Sequence, residues 1–178
     1  MWVQEMWRWF WPFFATAGTT SIRAATMLDT ARISEIHAQC FAIGWGASEI
    51  ERMLLDGHIA DVLVARGFFG DFVAGIAISR VVLDEAELMT IALDPDLRGR
   101  GAGRELLRHH IARVRRAGAE AMFLEVAADN AAALRLYWAA GFAEFGRRKG
   151  YYTGPKGRQD ALTFRRDLYD LDPTPRAF

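Results

Sequence analysis

The stretch Met89 to Leu107, MTIALDPDLRGRGAGRELL, constrains this chain most. An apolar alternation (Met89, Ile91, Leu93) reads as a strand and breaks at Asp94-Pro95. A loop follows with Arg98, Gly99, Arg100, Gly101 and Gly103, and an amphipathic helix begins at once through Leu106, Leu107 and Ile111. A glycine-rich loop between a strand and a helix N-terminus aims unpaired backbone N–H groups at an anion, and the helix end adds partial positive charge. Arg98, Arg100 and Arg104 supply cationic forks at the same spot. The pattern predicts a phosphorylated cofactor; the competing reading is a solvated arginine-rich turn. There is no Gly-Lys-Ser/Thr of a P-loop, and Gly101-Ala102-Gly103 lacks the third glycine of a dinucleotide fingerprint. What remains is Arg-x-x-Gly-x-Gly, filled by Arg98, Gly101 and Gly103.

A basic helix ending near Gly118 leads to AMFLEVAADNAAALRLYWAAGFAEFGRRKGYY, residues 121–152. Met122–Ala127 reads as a strand, Asp129/Asn130 as a helix cap, and Gly141 as the stop of a helix to Ala140. The glycine loop resembles motif A of the GNAT N-acetyltransferase superfamily, and "Asn-x-x-Ala-x-x-Leu-Tyr" followed by Gly141-Phe142 resembles its motif B. Leu124-Glu125-Val126, Asn130, Tyr137 and Tyr151-Tyr152 resemble the RimI-like branch, whose members acetylate the N-terminal alanine of a small-subunit ribosomal protein. The resemblance runs from about Ser21 to Leu168.

It implies an acetyl-CoA site in which the amides and side chains of Arg98, Gly99, Arg100, Gly101, Ala102, Gly103 and Arg104 grip the pyrophosphate. The backbone of Ile91, Ala92 and Leu93 would pair with the pantetheine arm, and Asn130 would touch that arm while capping its helix. It also implies an α/β GNAT fold: a mixed, largely antiparallel sheet of six to seven strands flanked by about four helices.

Acetyl transfer from a thioester to an amine needs a neutral amine, a polarised carbonyl and a proton for the departing thiolate. An α-amine titrates near pH 7.7–8.0 and lysine near 10.4, so a protein N-terminus is already partly neutral at pH 7. Glu125 is the expected base, acting directly or through water. It projects to the side of Phe123 and Ala127, where partial desolvation would strengthen it; the alternative is a rim ion pair to an arginine. Tyr137 is the family's usual acid for the thiolate; the alternative is a core tyrosine. For substrate, the candidates are the turn at Trp45 and the loop holding Tyr151, Tyr152 and Asp160. Asp160 would receive a basic second residue or close a turn. Gln159 stands where an acid is common in this branch, which bears on the substrate more than on the chemistry.

The 178 residues suit one domain, 52% apolar content suits a globular protein, and 22 acids against 22 bases argue against direct nucleic-acid binding. One cysteine, Cys40, excludes an intramolecular disulfide and fits a reducing, cytoplasmic compartment. His37 and Cys40 lack two further ligands, so no metal is expected. No nucleophile elbow or Cys–His pair suggests covalent catalysis.

Residues 1–19 crowd Trp2, Trp7, Trp9, Phe10, Trp11, Phe13 and Phe14 around Pro12. They match neither a signal peptide nor a membrane span. A mis-assigned start or a disordered tail docking on the domain is the expectation, with membrane-surface contact through the aromatics as the alternative. The domain is expected over 20–170, with a loose tail at 171–178.

Strands are expected at Ser21–Ala25, Ile59–Arg66, Phe69–Val82, Glu85–Leu93, Ala121–Ala127, Ala143–Tyr151 and Asp160–Asp167, with Thr153–Gln159 as a loop. Asp29-Thr30 is expected to cap a helix through Ala42, and Ser48, with Glu51 as capping-box partner, a second helix to Leu55. Two functions compete with protein N-terminal acetylation: transfer to a small amine on the same fold, and a non-catalytic acyl-CoA-binding module.

Overall fold

The computed structural model describes residues 20–67, 70–154 and 157–169, the side chains of 152–154 excepted. The expectations for residues 1–19, for the tail, for Phe69 and for the Tyr152 side chain fall outside that description. Seven strands form one sheet: β1 (Thr20–Ala24), β2 (Ile59–Gly67), β3 (Gly70–Val82), β4 (Glu85–Leu93), β5 (Ala121–Ala127), β6 (Ala143–Gly154) and β7 (Gly157–Asp167). Their order is β1-β2-β3-β4-β5-β7-β6, and every pairing is antiparallel except β4–β5. Among the described residues four α-helices flank it: α1 (Thr30–Cys40), α2 (Ala47–Leu55), α3 (Ala102–Arg116) and α4 (Ala131–Ala139). The α/β class, the mixed sheet and the helix count match the sequence expectation.

The two faces are covered unequally. On one, Leu106, Leu107, Ile111 and Val114 of α3 and Leu134 and Tyr137 of α4 pack on Met122, Leu124, Val126, Leu162 and Phe164. The four α3 side chains are almost wholly buried, each removing about 1.5–3 kcal/mol of apolar exposure from water. On the other face, Ile33 and Ile36 of α1 and Ile50 of α2 cover Val62, Val64, Ile76 and Ile78 of β2 and β3. Over β5 and β7 no helix among the described residues covers that second face. Phe123, Glu125, Thr163 and Arg165 alternate with the buried Met122, Leu124, Leu162 and Phe164 and so point to the open side.

Local chemistry moved several boundaries. Asp29 does not cap α1 through its side chain; its carboxylate takes hydrogen bonds from Arg23 and from the Thr26 N–H and hydroxyl, closing a capping box around a 3-10 turn at Met27–Asp29. The Arg23 guanidinium leads in holding this carboxyl at about 2, with burial opposing it. Helix α1 stops at Cys40 rather than Ala42, because Phe41 turns extended and stacks on His37, 4.3 Å between ring centres. Helix α2 starts at Ala47 from Gly46, with no side-chain cap, so the Ser48/Glu51 box does not form. Trp45, stacked on His37, sets that earlier entry. The expected loop Thr153–Gln159 is largely strand: Tyr152 pairs with Gln159, Thr153 with Arg158 and Gly154 with Gly157.

Candidate acyl-transfer site

The site begins with a fault in β4. Ile78 of β3 faces Thr90 and the next residue, Ser79, faces Leu88, so Met89 has no partner and forms a bulge. A bulge bends its strand and raises its twist. On the other side, β4 pairs with β5 only from Glu85↔Ala121 to Leu88↔Leu124. The two parallel strands therefore part at the bulge, and a cleft opens between Met89–Leu93 and Glu125–Ala127. The bulge also reverses the alternation. Ala86 and Leu88 share the α3 face with Ile91 and Leu93, whereas Ala92 belongs to the core under α1. The simple alternation of Met89, Ile91 and Leu93 expected from the sequence is broken there.

Beyond Leu93, the chain is anchored before it reaches the glycines. Gly75 admits the end of β4 closely: a Cβ there would sit 2.5 Å from Leu93 Cδ2. Asp94 is buried, accepts from the Asp96 N–H and pairs with Arg32 at 2.8 Å. Pro95 opens a 3-10 turn to Leu97. Gly99 and Gly101 take φ of +73° and +85°, a region open mainly to glycine, and Gly101 is the N-cap of α3. Among the described residues, no backbone N–H from Gly99 to Gly103 donates to a carbonyl or side chain. Five successive amides thus converge at the N-terminus of a 15-residue helix without an acceptor. Arg100 and Arg104 are exposed and make no ion pair among the described residues. Arg98 folds back, donating to the Leu93 carbonyl at 3.3 Å and to Cys40 Sγ at 3.0 Å. This donor set suits a pyrophosphate.

Glu125 is the first β5 residue past the last rung shared with β4. It is partly buried, and its Oε1 lies 3.3 Å from Arg148 Nη1 of β6. The rim ion pair weighed from the sequence is real and coexists with a place at the cleft. A cavity of about 240 Å³ on the open face is lined by Glu125, Thr163, Phe123, Glu87 and Arg80, among others. Tyr137 is buried in α4, its ring edge-on to Phe142 at 5.9 Å. Asn130 caps α4, accepting from the Ala133 N–H at 3.1 Å.

The expected substrate residues have partners within the fold. Trp45 stacks on His37 at 4.3 Å, and its backbone N–H donates to His37 Nδ1 at 3.0 Å. Burial holds the His37 ring below the usual histidine value, the Glu49 charge opposing, and a neutral ring is what can accept that bond. Asp160 is committed to the fold, one oxygen accepting from the Gly150 N–H at 2.8 Å and the other facing Arg147 at 3.5 Å. Gln159 donates to Asp129 at 2.6 Å, tying the hairpin to the start of α4, where an acid would repel that carboxylate. Tyr151 is exposed, with Arg148 over its ring at 5.3 Å. Sequence reading missed Arg148, Thr163, Arg80 and Glu87; Thr163 reaches Glu125 through the β5–β7 register and Arg148 through the β6–β7 register, which exist only once the strands are paired. No group of His, Cys, Asp and Glu among the described residues is placed to hold a metal.

Residues 30–142 match the model of the Acetyltransferase (GNAT) family. The [Ribosomal protein bS18]-alanine N-acetyltransferase of Escherichia coli is 48% identical over 89 residues, half of this chain, and the aligned stretch spans only 60% of that enzyme's length. Its crystal structure superposes with a TM-score of 0.77 at 31% identity, covering 89% of this chain and 100% of that one. The N-alpha-acetyltransferase RimI of Mycobacterium tuberculosis is 38% identical over 156 residues, covering 84% of this chain and 94% of that protein. A putative acetyltransferase of Salmonella typhimurium, solved with its cofactor acetyl-CoA, has a TM-score of 0.72 at 25% identity, covering 90% and 100%.

Proposed function

This chain belongs to the Acetyltransferase (GNAT) family, and from that premise we propose that it acetylates the N-terminal α-amine of a protein, using acetyl-CoA. By its likeness to the bacterial alanine N-acetyltransferases, the substrate is the N-terminal alanine of a small-subunit ribosomal protein. The observation that carries the reading is the run of five unclaimed amides from Gly99 to Gly103, opening beside a cleft whose edge holds Glu125.

In this reading the Gly99–Gly103 amides, with Arg100 and Arg104, bind the pyrophosphate, and the backbone of Ile91, Ala92 and Leu93, past the last rung with β5, orients the pantetheine arm. Acetyl-CoA supplies the thioester. Glu125 takes the proton of the amine as its lone pair attacks the carbonyl carbon, directly or through one water. The new C–N bond forms, the C–S bond breaks, and the sulfur leaves with the electron pair. Tyr137 then returns a proton to the thiolate. Arg148, paired with one carboxylate oxygen, would anchor the Glu125 side chain while it acts.

The test is acetyl-CoA consumption with an alanine-initiated peptide, the same peptide with a blocked N-terminus, and a panel of small amines. Turnover of the free peptide alone is expected. Turnover of a small amine, with none on any peptide, would overturn the reading.

A further inference from the structure

One polar atom on the β4 side of the cleft has no partner. Thr90 is 5% exposed, and among the described residues its Oγ1 makes no hydrogen bond. Buried hydroxyls are almost always paired, so an orphan in the wall of a reactive cleft needs a reason. Its position supplies one. The Met89 bulge puts Thr90 on the face of Ala92, the same face of the sheet that Glu125 takes on β5. Pairing between the strands ends at Leu88↔Leu124, so Glu125 is the next residue on one lip of the cleft and Thr90 the second on the other. On its far side Thr90 faces Ile78, whose side chain offers no hydrogen bond.

We propose that Thr90 is a positioning residue for acetyl transfer. Its hydroxyl accepts a hydrogen bond from the attacking amine, or from the water that relays the amine's proton, and so fixes the nucleophile between β4 and Glu125. This rests on the acetyltransferase reading above. A hydroxyl suits the task, because it accepts through two lone pairs, carries no charge and does not compete for the proton. Thr90 neither gains nor loses a proton in the reaction: the C–N bond forms, the C–S bond breaks and the amine proton still ends on Glu125.

The experiment compares Thr90→Val and Thr90→Ser with the parent in the full chain, using the amine that the parent turns over fastest. Valine keeps the shape and removes the orphan, so a merely structural threonine would give the parent's kcat and an equal or higher Tm. The proposal expects an equal or higher Tm, acetyl-CoA affinity within about twofold, and kcat lowered by about tenfold or more, as misplacing a nucleophile does. Serine should recover most of that loss. Parental kcat in Thr90→Val, or loss of acetyl-CoA affinity in step with kcat, overturns this proposal alone. A parent that acetylates no amine overturns the proposed function and this inference with it.

Discussion

Two polar clusters in this molecule use similar residues to opposite ends. Beneath α3, Ser79 Oγ lies 2.8 Å from His110 Nε2, and His110 Nδ1 lies 2.7 Å from Asp61, which also pairs with Arg113. On the open face, Glu125 sits against Arg148, with Thr163, Arg80 and Glu87 nearby. The first cluster has the order of a nucleophile relay, yet Ser79, His110 and Asp61 are all 0% exposed. No substrate reaches it, and its side chains satisfy one another. In the second cluster the carboxylate is only partly enclosed, and Thr90 across the cleft is unsatisfied. Access and an open valence, rather than residue type, separate the proposed catalytic cluster from the cohesive one.

The contrast is breakable by mutation. Asp61→Ala leaves Arg113 and His110 without their acceptor beneath α3, and a stability loss of about 3–5 kcal/mol is expected in denaturant titration. Turnover per folded molecule should hold. Burial pushes the Asp61 carboxyl up, but hydrogen bonds from His110 and Arg113 outweigh it and hold the group below its usual value. Its contribution is therefore present above the ordinary aspartate range and lost as pH falls through the lowered value. A turnover defect in stably folded Asp61→Ala would erase the distinction.

Tyr137→Phe keeps the packing on Phe142 and should lower kcat by about 10²-fold or more with little change in Tm. Stopped-assay kcat equal to the parent would remove Tyr137 as the acid. Gly101→Val forces a branched side chain to φ of +85° and should destabilise by about 1–2 kcal/mol, while weakening acetyl-CoA binding in calorimetry. Unchanged affinity would release the loop from its role. The smallest effect is at His37. Burial lowers this group, so its unfolded form binds the proton first; stability should fall as pH drops below about 6.5, and thermal melts of His37→Gln should lose that step. An identical pH dependence in the variant would contradict it.

The strand–glycine loop–helix unit was legible because its parts are local: Asp94-Pro95 ends a strand, Gly101 needs its left-handed φ, and Asn130 caps its own helix. The succession of strands and helices along the chain and the β5 alternation that turns Glu125 away from Leu124 followed from periodic patterning; the order of the strands within the sheet did not. The Met89 bulge was not legible, because it exists only in the register between β3 and β4. With it went the reason the cleft opens where it does, and the placement of Thr90. The packing partners of Trp45 and Asp160, His37 and the Gly150 N–H, were hidden too, because they lie 8 and 10 residues away and pair only once the turns close. The buried relay was equally hidden, since it joins β2, β3 and α3 across separations of 31 and 49 residues.

The proposed division of labour gives the cofactor to the loop and the chemistry to the open-face carboxylate. Glu125→Gln tests it in one paired measurement, acetyl-CoA affinity by calorimetry and single-turnover acetylation of an alanine-initiated peptide. Affinity within about twofold of the parent and a rate lowered by about 10²- to 10⁴-fold are expected. A rate that survives the substitution, or an affinity that collapses with it, would contradict the account.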